Sequence, residues 1–212
     1  MARKTIEEAE ITRERLLDSA AQVFCDKGVT SASLDDIAKA AGVTRGALYW
    51  HFRNKTDLMS ALWERTRMPL DEIWGGCCSS AECDPLGRIR KNAVDMLRRA
   101  VTDEKTRQVY NILFHKCECV DEAEPALARR RESRSECAPK IETFFAAAVE
   151  AGQLPKSLHP RTAMIGFFSY LDGLIYNWFL HPDVILLDEL AEHFVDTYIA
   201  GLKHAPPRPV GA

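Results

Sequence analysis

The chain has 212 residues, 46% of them hydrophobic and 28% charged, with a formal net charge of −3. That composition supports a folded core and excludes a disordered chain, and the near-balance of charge excludes a protein that coats nucleic acid by bulk charge. An anionic partner must be met locally: residues 1–55 carry +1 and the remainder −4, the direction expected if only the first part meets DNA.

The opening "MARKTIEEAE" has charges but no apolar stretch, so no secretory signal is read there and the expected compartment is the cytoplasm. From Thr12 to Lys27, apolar residues recur at Leu16, Leu17, Ala20, Val23 and Phe24, which predicts a helix ended by Gly28. In "SLDDIAKAAG", Ser33 and Asp36 have the spacing of a capping box, and Leu34, Ile37, Ala38 and Ala41 form the buried stripe of a short helix. Gly42 supplies a turn, and Thr44 caps a third short helix with Leu48 and Phe52 as its core contacts. Two short helices joined by a glycine turn, behind a longer first one, make a helix-turn-helix unit.

A fourth helix is expected from about Asn54, kinked or ended at Pro69. "GGCCSSAECDP" reads as a loop, with Asp84-Pro85 as cap and first helical residue. Further helices are expected near 85–101, 103–118, 121–151 (disturbed at Pro139), 160–180 and 186–203, then a frayed tail, "KHAPPRPVGA". The longest apolar stretch, Ala163 to Leu180, is interrupted by Ser169, Asp172 and Asn177, the pattern of a buried helix rather than a membrane span. No segment alternates with a period of two, so the fold class is all-α: a three-helix N-terminal domain over 1–55, a helical bundle over 56–205 and a disordered tail over 206–212.

The segment "GVTRGALYWHFRNK" mixes a glycine turn, a cation, aromatics and a histidine in one short helix. Arg45 suits a guanine edge and Gly46 allows close backbone approach; Tyr49, Trp50 and His51 suit phosphates or thymine methyls, and Lys55 opens the next helix. Singly, each aromatic is as well explained by packing between domains. Together with Arg45 and the glycine turn they point to duplex DNA.

"TSASLDDIAKAAGVTRGALYWHFRNKTDLMSALW" resembles the DNA-binding domain of the TetR family of bacterial repressors. "MARKT", "TRGALYWHF" and "ILFHKCE" resemble, more narrowly, the branch that represses multidrug efflux operons. The resemblance implies a homodimeric repressor, released from a palindromic operator by a hydrophobic or amphipathic drug-like inducer. Thr44, Arg45, Gly46, Tyr49, Trp50, His51 and Lys55 would face the operator, with Arg3 and Lys4 as a basic arm or a disordered end. It also implies that 56–205 binds ligand and dimerises, with a pocket lined by the helices near 85–101, 103–118 and 160–180. The candidate lining residues there are Met96, Tyr110, Phe114, Phe168, Asp172, Ile175 and Tyr176.

Within the second domain, Asp172 sits in an otherwise apolar helix, and two readings stand: it bridges to a neighbouring helix, or it anchors cationic drugs in an aromatic pocket. Leu187, Leu190, Phe194, Tyr198 and Leu202 recur at three- and four-residue steps, a seam that serves either one subunit's core or a dimer interface. Seven cysteines in a chain with no export signal are expected to be reduced. "FHKCEC" brings His115, Cys117 and Cys119 close in sequence, so control by thiol oxidation or metal is the alternative; the spacing matches no zinc module, and neither metal nor cofactor is expected. No nucleophile elbow, phosphate loop or HExxH is present, so no enzymatic activity is expected.

Overall fold

A computed structural model describes residues 2–66, 84–116 and 124–209. Among them are nine α-helices and one π-helical turn, with no strand. The helices are α1 (Ala2–Lys27), α2 (Leu34–Ala40), α3 (Arg45–His51), α4 (Lys55–Thr66), α5 (Pro85–Thr102), α6 (Glu104–Asn111), α7 (Glu124–Glu150), α8 (Pro160–Leu180) and α9 (Leu187–His204), and the π turn is Ile112–Lys116. The all-α expectation holds. Pro69, Cys77, Cys78, Cys83, Cys117 and Cys119 lie outside the described residues.

The chain divides into two compact units. The first holds α1–α4 together with α6, the π turn and α7 as far as Glu132, so described residues between 104 and 132, assigned by sequence to the second domain, cluster with the helix-turn-helix. The reason is apolar: Val109, Ile112 and Leu113 join Leu16, Leu17, Phe24, Ile37, Leu48, Leu58 and Leu62 in one buried cluster. Each such side chain contributes about 1.5–3 kcal/mol by leaving water.

Local chemistry sets the helix ends. Gly28, at φ +78°, closes α1 with its N–H on the Phe24 carbonyl at 3.0 Å. Ser33 and Asp36 form the capping box of α2, the Asp36 N–H donating to Ser33 Oγ at 3.1 Å and the Ser33 N–H to Asp36 Oδ2 at 3.1 Å. Gly42, at φ +63°, turns the chain toward α3, and Thr44 Oγ1 accepts from the Ala47 N–H at 3.1 Å. Asn54 caps α4 through the Asp57 N–H at 2.8 Å. Against expectation, α1 extends back to Ala2, so Arg3 and Lys4 belong to a helix rather than to an extended arm.

The second unit holds α5, α7 from Ser133 onward, α8 and α9. Pro139 lies inside α7 without ending it, and the Thr143 hydroxyl donates to the Pro139 carbonyl at 2.9 Å. Asp84 caps α5 through the Gly87 N–H at 2.8 Å, as Asp84-Pro85 predicts. Arg90 of α5 grips α9, its Nε 2.6 Å from Asp196 and a terminal nitrogen 3.0 Å from Glu192, while Arg98 reaches Glu192 at 2.8 Å. These hydrogen bonds hold the Glu192 and Asp196 carboxyls below the usual carboxylate range. The start of the expected frayed tail is tied down, the Pro207 carbonyl accepting from the His159 N–H at 2.9 Å.

A candidate nucleic-acid interface and candidate ligand-binding residues

Helix α3 has seven residues, too few to stand alone, and it is held by one buried side and a cap. Leu48 is fully buried and Phe52 nearly so. The opposite side faces solvent: Tyr49 is 44% exposed and Trp50 73%. Thr44, Arg45 and Gly46 are exposed beside them.

Arg45 is oriented by two neighbours. Its Nε lies 3.2 Å from Asp35 Oδ1, and its guanidinium carbon 5.4 Å from the centre of the Tyr49 ring. A terminal nitrogen donates to Tyr49 Oη at 3.3 Å. This directs a bidentate donor outward while Asp35 keeps hold of one edge. Asp35, on α2, escaped sequence reasoning because the turn alone brings residues ten apart together.

Gly46 has a telling environment. A Cβ there would meet nothing of the protein nearer than Thr44 Oγ1 at 3.9 Å, so the fold itself does not require glycine at this position. His51 is half-buried, edge-on to Trp50 with ring centres 4.6 Å apart. Partial burial, then the nearby Arg13 charge, lower its imidazole pKa, with Glu10 opposing.

Lys55 is placed differently from its expected free approach to a phosphate. Its Nζ donates to the Val29 carbonyl at 3.0 Å and the Thr30 carbonyl at 3.1 Å, clasping the loop before α2. The Val29 N–H donates in turn to the Lys116 carbonyl at 3.2 Å, which fastens the same loop to the π turn. Lys39 on α2 and Arg53 after α3 are exposed cations that sequence reading did not single out.

The candidate ligand residues fall in both units. Tyr110 and Phe114 are stacked in the first, with centres 5.8 Å apart and planes at 14°, and Trp63 meets Tyr110 edge-on at 6.4 Å. In the second unit Ile175 is fully buried in the core, Met96 and Phe168 are half-buried, and Tyr176 is exposed. Asp172 pairs with Arg134 of α7 at 2.5 Å, and the Arg134 guanidinium lies 4.4 Å over the Phe168 ring. The bridging reading of Asp172 therefore has a partner that sequence did not name.

The candidate seam on α9 also divides. Leu187 and Leu202 are buried in the protomer's own core. Tyr198 stacks on Tyr170 at 5.2 Å and donates to the Ala163 carbonyl at 2.9 Å, burial raising its phenol pKa. Phe194 is half-buried, its carbonyl accepting from Tyr170 Oη at 3.0 Å. Leu190 is exposed, and with it Ile165, Tyr176, Leu180, Val184 and Leu186.

Among the described residues no group of three His, Cys, Asp or Glu side chains comes together to hold a metal, and no helix is long and apolar enough to cross a membrane. Cys25 is half-buried between Gln108 and Asn111, and burial raises its thiol pKa.

A buried-cored helix-turn-helix carrying an outward cation and aromatics, followed by a helical bundle, is the architecture of a DNA-binding transcription regulator. Comparison with known proteins agrees. Residues 16–62 match "Bacterial regulatory proteins, tetR family" and residues 84–204 match "MAATS-type transcriptional repressor, C-terminal region". The chain is 39% identical to the HTH-type transcriptional regulator TtgR of Pseudomonas putida over 206 residues, 97% of this chain and 98% of that one. It is 40% identical to the HTH-type transcriptional regulator AcrR of Shigella flexneri over 195 residues, 92% and 91% of the two chains. Its fold superposes with TM-score 0.83 on NalD, described as the secondary repressor of the MexAB-OprM multidrug efflux pump in Pseudomonas aeruginosa, at 31% identity over 94% of this chain and 99% of that one. The chain belongs to the TetR family of transcriptional regulators; its relatives regulate transcription and are not enzymes.

Proposed function

We infer that the chain is a homodimeric repressor of a multidrug efflux operon, bound to a palindromic operator and released by a hydrophobic small molecule. The observation that carries this reading is the solvent-facing set Arg45, Tyr49 and Trp50, mounted on a helix whose other side is fully buried. Arg45 reads a base edge, Gly46 admits the duplex backbone, and Thr44, Tyr49, Trp50 and His51 meet phosphates or thymine methyls. Lys55 serves this surface indirectly, by holding the loop from Val29 to Thr30. The efflux target is supported by the printed roles of similar proteins such as NalD.

Ligand control is supported by the membership of α6 in the DNA-binding unit. Tyr110 and Phe114 stack on a segment whose Lys116 carbonyl holds the Val29 N–H. A hydrophobic compound that displaces this stack acts directly on the scaffold of α2 to α4. Coupling of this kind typically amounts to about 1–3 kcal/mol and is reciprocal between inducer and operator. Dimerisation is supported by the exposed apolar side chains of α8 and α9, and two copies supply the two recognition helices that a palindrome requires. Control through Cys25 draws no support, since a thiol whose pKa is raised forms little reactive thiolate.

The test is fluorescence anisotropy of the protein on the DNA upstream of its own gene against a scrambled duplex, with and without a panel of hydrophobic drugs. Tight binding to the native duplex that drugs release is the expected result. Binding with no preference between the duplexes would overturn the operator reading, and selective binding indifferent to every drug would overturn ligand control.

A further inference from the structure

Arg45 opens α3, and Asp35 lies in the first turn of α2. In a helix-turn-helix the second helix enters the groove while the first crosses the backbone, so a cation at this corner has bases and phosphates competing for it. A carboxylate already rests on Arg45: its Nε lies 3.2 Å from Asp35 Oδ1, and its Nη1 donates to Asp35 Oδ2 at 3.4 Å. The exposed cations Lys39 and Arg53 have no carboxylate partner among the described residues. Nor is Asp35 occupied with the fold, since the capping box of α2 and the ion pair with Lys27 at 2.9 Å both belong to its neighbour Asp36. The Arg45 and Asp35 side chains are 64% and 49% exposed, so the pair adds little to stability and faces whatever duplex arrives.

We propose that Asp35 is a specificity-determining residue: by cancelling the Arg45 charge, it keeps that guanidinium from anchoring on phosphate and leaves it to read a base. The proposal rests on the operator-binding reading of α3 and adds how that helix tells its operator from other DNA. Phosphates attract a cation by charge whatever the sequence, whereas a base edge is recognised by the geometry of its hydrogen bonds. Pairing with Asp35 removes the first attraction and spares the second. Each terminal nitrogen of Arg45 carries two N–H groups and makes one contact, Nη1 with Asp35 and Nη2 with Tyr49 Oη at 3.3 Å. Each therefore keeps a donor for the paired acceptors of a guanine edge. The carboxylate also repels the phosphates of every duplex alike, and only a duplex that offers Arg45 its base offsets that cost.

The test is fluorescence anisotropy of the full chain on the DNA upstream of its own gene and on a scrambled duplex, across a salt series from about 50 to 200 mM. Wild type, Asp35→Asn and Asp35→Glu are compared, and Asp35→Asn is repeated on an Arg45→Ala background. Thermal melts establish folding, with Asp35→Ser as a second variant if the asparagine chain does not fold. Asp35→Asn is expected to tighten binding to the scrambled duplex, to steepen the slope of log affinity against log salt there by about 1, and to lower the preference for the native duplex about tenfold. Asp35→Glu, which keeps the charge, is expected to retain most of the preference. Without Arg45, the asparagine substitution is expected to change neither the slope nor the preference. The proposal is overturned if Asp35→Asn leaves the wild-type preference and slope unchanged, or if its effects persist in full without Arg45. A wild type that prefers neither duplex overturns the operator reading instead, and the salt slope on the scrambled duplex then decides by itself whether Asp35 cancels the Arg45 charge. Absence of binding to either duplex overturns both.

Discussion

Arg45 is held by an exposed carboxylate and an exposed ring, and such a pairing is worth little as stability. Its value lies in orientation: the guanidinium is presented outward before any duplex arrives. Arg45→Ala is expected to weaken operator binding by about 1–3 kcal/mol and to relax sequence preference at one position, read by anisotropy on operator and random duplexes; equal losses on both would make it a phosphate contact. Gly46 makes the complementary case. Because the protein leaves room for a Cβ, Gly46→Ala is expected to leave the melting temperature unchanged or raise stability by up to about 1 kcal/mol while weakening operator binding. Loss of stability together with affinity would show that the glycine serves the fold.

His51 adds a pH dependence whose sign is fixed by its surroundings. Burial and Arg13 lower its pKa below the ordinary value of about 6.5, so the ring is neutral in the free protein at neutral pH. In the free protein this contributes stability above that ordinary value, which is lost as pH falls through the lowered one. If His51 meets phosphate oxygens on the operator, as proposed, they raise its pKa in the complex and a proton is taken up on binding. Operator affinity is therefore expected to increase as pH falls from about 7.5 to about 6, and His51→Asn to flatten that slope. A slope unchanged by the substitution would place His51 away from phosphate.

At the scale of elements, α2 and α3 are seven-residue helices that exist by their caps and by what they bury. Leu48 is the anchor of α3, fully enclosed by the cluster that also takes Ile37, Leu58 and Ile112. Leu48→Ala is expected to cost about 2–5 kcal/mol in chemical denaturation and to loosen the recognition helix before the rest of its unit unfolds, visible as faster amide exchange in α3. Uniform acceleration across α1 to α4 would show that the unit opens only as a whole. The same cluster explains why α6 joins these helices: an amphipathic segment goes where its apolar side finds cover, and Val109, Ile112 and Leu113 find it against α1 and α4.

For the molecule as a whole, the exposed apolar positions of α8 and α9 bear on assembly. Leu187 and Leu202 serve the chain's own core, whereas Leu190 of α9, and Val184 and Leu186 in the turn before it, remain in water. For the proposed dimer, Leu190→Arg is expected to shift the protein toward monomer in sedimentation velocity and to weaken operator binding with it, with the helical circular dichroism retained. A dimer unaffected by the substitution would move the interface elsewhere.

How far the sequence reached differs by kind of interaction. The all-α fold, the Ser33–Asp36 box, the Thr44 cap, the Gly28 and Gly42 turns, and the burial of Leu48 and Phe52 were all legible, because each depends on residues within a turn or two of one another. Helical periodicity and capping are local physics, and one chain suffices to read them. What tertiary structure alone decided joins distant residues: Asp35 holding Arg45, Lys55 clasping Val29 and Thr30, Arg134 pairing with Asp172, and α6 entering the core of the helix-turn-helix unit. The seam of α9 shows the difference within a single helix. Its spacing announced that Leu187, Leu190 and Leu202 would be covered, but which of them face the protomer's own core depends on how α9 is turned about its axis, and Arg90 and Tyr170 set that from other helices.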